Sequence, residues 1–134
     1  MCKMGDIIVV NSYIGDDGEK VSRHSFVVLS DEGGTIAGLD YTMVASVISS
    51  FQSEEHRKKV LKREGNMELP IDSKKPDDFK YSSYVKADKA FYFNKKKLDY
   101  YVLGYLNNEY FDELLKLVLI LAKKGKLKQI VENL

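Results

Sequence analysis

Tryptophan is absent from this chain, cysteine is confined to Cys2 and proline to Pro70 and Pro76. Arginine is nearly as scarce: Arg23, Arg57 and Arg63 stand against 18 lysines. One cysteine rules out an intrachain disulfide framework and fits a reducing cytosol. The histidines at 24 and 56 and the cysteine at 2 have no metal-ligand spacing. No metal or other cofactor is therefore expected. No apolar run approaches the roughly 18 residues that cross a bilayer. The longest, "LLKLVLILA" at 114–122, is interrupted by Lys116, and "MCKMGD" at the start has no apolar signal core. The expectation is a cytoplasmic protein with no membrane partner. A phosphate-binding glycine loop is missing too, because Gly33 and Gly34 sit in a turn with no helix after them.

What is present points to one domain spanning 1–134, long enough to bury a real core. The chain is 44% hydrophobic and 31% charged, ordinary for a globular protein, and its formal net charge is only +1. The charge is unevenly spread. Residues 1–52 carry three basic and seven acidic side chains, a balance of −4. Residues 53–63 carry five and two, or +3, and residues 74–97 carry eight and three, or +5. The middle of the chain can thus present a basic surface to phosphates, or a solvated lysine-rich face.

The N-terminal half reads as strands. "DIIVVNSYI" (6–14) is β-branched and aromatic, "GDDGEK" (15–20) is a turn, and "HSFVVLS" (24–30) is a second apolar run. Residues 35–51 hold one or two strands, with a break or bulge at Gly38. "SEEHRKKVLKREG" (53–65) is a short helix capped by Ser53 or, with so little apolar content, a charged loop. "NMELPI" (66–71) is a strand ended or edged by Pro70, 72–78 is a loop, and 83–94 is one strand. From Asn107 the period changes to that of a helix closed by Gly125, with Phe111, Leu114, Leu115, Val118, Ile120, Leu121 and Ala122 on its apolar face. "KLKQIVENL" continues as a short amphipathic tail helix within 123–134.

The polar residues that stand out lie at strand ends. Arg23 and His24 open one run, and Ser49 and Ser50 close another. Lys86 and Asp88 are two apart, so alternation along a strand places both on one face and sends Val85 and Ala87 to the core. Anonymous residues of this kind are as readily structural as functional.

In order and spacing, four blocks resemble the MazF/PemK (Kid) family of toxin–antitoxin ribonucleases: "MGDIIVVN", "GEKVSRHSFVVLS", "MVASVISSF" and the stretch from "SSYVKADKAFYFN" to "LLKLVLIL". The resemblance covers the chain to about residue 122. It implies a mainly β fold with a C-terminal helix (α+β), an SH3-like small β-barrel, and a homodimer neutralised by a cognate antitoxin. The implied activity is metal-independent cleavage of single-stranded RNA, with 2′-OH attack giving a 2′,3′-cyclic phosphate.

Residue by residue, the resemblance assigns Arg23 to the transition-state phosphate and Ser49, or Ser50 one position on, to the hydroxyl that donates a hydrogen bond to that phosphate. Asp88 and Lys86 stand where the PemK branch has base and acid, Lys86 replacing that branch's arginine. His24 stands where the family has proline, and a histidine there can itself move protons. Arg57, Lys58, Lys59 and Lys62 would track the RNA backbone, and Tyr81 and Tyr84 would stack bases. Two other readings remain open at this level. One is a gyrase poison of the related CcdB type; the other is a non-catalytic barrel that only binds a partner.

Overall fold

The first apolar run forms β1 (Asp6–Ile14), whose residues 6–10 are buried on both faces. Ile7 packs to one side of the sheet, and Ile8 and Val10 to the other. This computed structural model describes residues 2–69 and 83–134. The second strand, β2 (Lys20–Ser30), pairs antiparallel with β1 (Ile7 opposite Val27, Val10 opposite His24). It starts four residues before the apolar run because its N-terminal half needs only a hydrogen-bonding neighbour. Ser12, Tyr13 and Ile14 of β1 supply it.

Residues 34–41 fold back as a separate hairpin of β3 (Gly34–Ile36) and β4 (Leu39–Tyr41). Ala37 (φ 52°) and Gly38 (φ 77°) form its two-residue loop, in the positive-φ geometry that suits the twist of tight hairpins. The break expected at Gly38 is this turn. The next strand, β5 (Met43–Ser50), pairs with β2 along one edge. Helix α1 (Glu54–Leu61) follows, with Ser53 accepting from the His56 amide at 3.0 Å and Glu54 and Glu55 in the first turn. Capping by Ser53, and Val60 as the one buried residue, make it a helix rather than a charged loop.

The stretch 83–94 is two strands, β7 (Ser83–Lys86) and β8 (Lys89–Phe93), after β6 (Asn66–Leu69). The expected single strand breaks at Ala87 and Asp88, whose backbone groups bond elsewhere: Ala87 N–H to the Gly65 carbonyl, and the Asp88 carbonyl to Lys128 N–H. Both new strands pair with the other edge of β5, β8 at Met43–Ala45 and β7 at Ile48–Ser50. Val85 and Ala87 are fully buried, as alternation requires, and Lys86 and Asp88 on either side of Ala87 are half-buried. The expected loop 72–78, Pro70 and Tyr81 lie outside the described residues.

A 3-10 turn (Lys95–Lys97) leads to β9 (Tyr100–Tyr105), which pairs with the free edge of β1. Helix α2 (Asn108–Lys123) is capped by Asn107 and buries Phe111, Leu114 and Leu121 against the side of the sheet that holds Ile7, Val27 and Val85. Ile120, expected on that apolar face, is instead 49% exposed. At the helix end Gly125 takes φ 70°, Lys126 N–H reaches the Leu121 carbonyl and Gly125 N–H the Ala122 carbonyl, a Schellman closure.

That reversal corrects the tail. Instead of a second C-terminal helix, Lys128–Ile130 forms β10, parallel to β8. Edge hydrogen bonds and burial of Ile130 outweigh the helical pattern of a nine-residue segment, which is too short to hold a helix alone. The main sheet runs β10-β8-β5-β2-β1-β9, with β7 on β5 and β6 on β7. The fold is mainly β, largely antiparallel, with a C-terminal helix. Among the described residues no helix is long and apolar enough to cross a membrane.

Candidate functional site

Three strands and one helix converge where β2 outruns the buried part of the sheet. The last β2–β5 pair is Ser25 with Ile48. One residue further out, His24 Nε2 lies 3.5 Å from Ser49 Oγ. On the opposite edge of β5, Ser49 pairs with Tyr84 and Ser50 with Ser83. Alternation in β7 buries Val85 and leaves Tyr84 and Lys86 on the other face. Helix α1 then covers this end, with Phe51 stacked on Tyr84 (4.9 Å, 25°) and His56 edge-on to both rings at 6.3 Å.

The result is a cavity of about 530 Å³. Arg23, His24, Lys86 and His56 line it together with the hydroxyl-bearing Ser25, Ser49, Ser50, Ser83 and Tyr84, and among the described residues no carboxylate does. Two cations, two imidazoles and five hydroxyls make a surface suited to an anion. Arg23 is held at the rim by Tyr101 of β9: its Nη2 donates to the phenol oxygen, and its guanidinium lies 5.7 Å from the ring centroid. It has no carboxylate partner among the described residues, so its charge faces outward.

The titrating groups respond to this crowding of positive charge. Burial holds His24 below its ordinary 6.5; a hydrogen bond from the ring to the Ile48 carbonyl opposes that shift, and the Lys86 ammonium adds to it. Burial likewise holds Lys86 below its ordinary 10.5, aided by Lys89 and Arg63 and opposed by Asp16 and Asp88. At neutral pH His24 is therefore a neutral base beside a hydroxyl. Lys86 releases its proton more readily than a free lysine.

The sequence-derived candidates divide. Arg23, His24, Ser49, Ser50, Tyr84 and Lys86 meet at the cavity. Asp88 lines a neighbouring cavity of about 240 Å³ with Lys59, Arg63 and Lys89, and the two cavities share His56, Tyr84 and Lys86. Arg57 is committed internally, its Nε and Nη2 donating to both Glu68 oxygens at 2.7 and 2.8 Å and its Nη1 to Glu54. Its fork is occupied, so it is a brace between α1 and β6 before it is a phosphate contact. Lys58 and Lys62 are exposed and line neither cavity. Tyr84 is 6% exposed with one face on Phe51, which leaves its polar tip rather than an open ring face for a ligand.

Sequence reasoning passed over His56, Gln52, Arg63 and Tyr101. A capped helix start immediately after the Ser49 strand was the available signal for the first two. Among the described residues no group of three or more His, Cys, Asp or Glu side chains is placed to hold a metal ion. No family model matches the chain, and no curated protein does so either.

Proposed function

We propose that this chain is a metal-independent endoribonuclease that cuts single-stranded RNA, a toxin of the MazF/PemK type held in check by a cognate antitoxin. The observation that carries the reading is the cavity at Ser49, lined by Arg23, His24 and Lys86 and, among the described residues, by no carboxylate. The proposal includes a small SH3-like barrel working as a homodimer; the mainly antiparallel sheet, with β1, β2 and β5 central and a C-terminal helix on one side, supports its mainly β part.

In this scheme a phosphodiester sits in the cavity. Arg23 donates its fork to the non-bridging oxygens, and Ser49, flanked by Ser50, donates a hydroxyl hydrogen. The 2′-OH gives its proton to His24 Nε2 and its oxygen attacks phosphorus. The 5′-oxygen leaves with a proton from the Lys86 ammonium. The products are a 2′,3′-cyclic phosphate and a 5′-OH, with one proton gained by His24 and one lost by Lys86. Asp88 acts on Lys86 as a nearby negative charge that favours its protonated form.

The test is incubation of purified protein with single-stranded RNA in EDTA, followed by end-group analysis. Cleavage with cyclic phosphate ends is expected. Intact RNA refutes the reading; with inhibited DNA supercoiling it turns to a gyrase poison, and with RNA bound but uncut to a binding module.

A further inference from the structure

His56 enters the cavity in a defined chemical form. The Gln52 backbone N–H donates to its Nδ1 at 3.1 Å, while its own backbone N–H donates to Ser53 Oγ at 3.0 Å. A nitrogen that accepts a hydrogen bond carries no proton, so in this arrangement the ring is a neutral imidazole with its hydrogen on Nε2. The stacked rings of Phe51 and Tyr84 both lie edge-on to it at 6.3 Å. Nε2 has no hydrogen-bond partner among the described residues, and the ring lines both cavities.

Arg23, His24 and Lys86 share the first cavity with this neutral ring, and Lys59, Arg63, Lys86, Lys89 and Asp88 share the second. Such a ring is unsuited to passing protons, since loss of the Nε2 hydrogen would leave an imidazolate. It is well suited to donating one hydrogen bond to an oxygen on which negative charge grows, which costs no reorganisation at the moment of reaction.

We infer that His56 is a fixed neutral hydrogen-bond donor whose Nε2–H binds a phosphate oxygen in the cavity, separate in role from the proton-transferring His24. The inference rests on the reading of the cavity as a phosphodiester site. It adds a donor that transfers no proton and whose ring lines both cavities.

The experiment has two arms on the full chain. In the first, long-range 15N–1H spectra of the wild type are recorded at about pH 8 with and without inorganic phosphate. The expected result is a proton on Nε2 and none on Nδ1 of His56, with the Nε2–H resonance moving on phosphate addition. The opposite tautomer, with its proton on Nδ1, or an Nε2–H unmoved by phosphate, overturns the inference. In the second arm, His56→Gln keeps an N–H near the Nε2 position and should retain cleavage within about threefold, whereas His56→Ala should lose on the order of 10²-fold, as for removal of one oxyanion donor. A Gln variant as inactive as the Ala variant, with the fold intact by circular dichroism, also overturns it. If no form of the protein cuts RNA but phosphate moves the His56 Nε2–H, the donor assignment stands and the nuclease reading falls.

Discussion

Arg23→Ala separates function from folding. Among the described residues the Arg23 side chain makes one hydrogen bond to the Tyr101 phenol and one cation–π approach to its ring at 5.7 Å, and it pairs with no carboxylate. Removing it leaves no buried charge without a partner. The stability cost is that of an exposed position, within roughly 1 kcal/mol. The catalytic cost is larger because the guanidinium is the one forked donor lining the cavity. Loss of a preorganised donor to a developing oxyanion reduces turnover about 10²–10³-fold, or about 2.7–4 kcal/mol of transition-state stabilisation. Arg23→Lys keeps the charge without the fork and should fall between. Tyr101→Phe keeps the ring beneath the guanidinium and removes only its anchor, worth about 1 kcal/mol, so roughly a fivefold loss is expected. The assay is single-turnover cleavage of a short labelled RNA, read beside the thermal midpoint of each variant. Undiminished cleavage by Arg23→Ala, or a loss matched by loss of folded protein, refutes the reasoning.

Other outcomes follow from the same geometry. Because His24 must be neutral to accept a proton and its folded value lies below 6.5, cleavage should rise with pH and level off below the usual histidine range; Lys86→Met removes a repelling cation and should move His24 upward in a histidine NMR titration. The same shift ties stability to pH: between the folded value and 6.5 the unfolded chain binds the extra proton, so His24's contribution is present above 6.5 and lost as pH falls through the folded value, a slope that His24→Gln should flatten in urea melts. Lys59→Ala should lower the salt dependence of RNA binding by about 0.7 in log–log slope, whereas Arg57→Ala, whose fork already holds Glu68, should lower the thermal midpoint and leave that slope nearly unchanged. Gly65→Ala places a methyl 2.7 Å from Asp88 Cγ and should cost about 1–3 kcal/mol in denaturant unfolding. Leu114→Ala, a fully buried truncation on α2, should cost about 2–5 kcal/mol.

Much of the fold was legible where local signals agree. β1 runs over the residues its composition marks, and α2 begins at its asparagine cap and closes at its glycine. The tail was misjudged because a segment as short as "KLKQIVENL" takes its structure from whatever edge is free, and that edge belongs to β8. The stretch 83–94 was misjudged for a related reason. Nothing local says that Ala87 will bond to Gly65 and Asp88 to Lys128. Asp88 still lines a cavity with Lys86, the smaller of the two.

At the site, Arg23, His24, Ser49 and Lys86 could be nominated as polar residues at strand ends, and the strand pairing gathers them. Glu68's hold on Arg57, and the Gln52 amide that fixes His56, are contacts made by folding. No spacing rule reveals them.

The most direct test of the central claim uses an RNA that the protein cuts at a mapped position and a second copy with a single 2′-deoxy substitution at the nucleotide 5′ to that position, both in EDTA. Attack by the 2′-hydroxyl predicts that the first is cut to a 2′,3′-cyclic phosphate and that the second is left whole at that position. Equal cutting of both, or no cutting of either until a divalent metal is added, would contradict it.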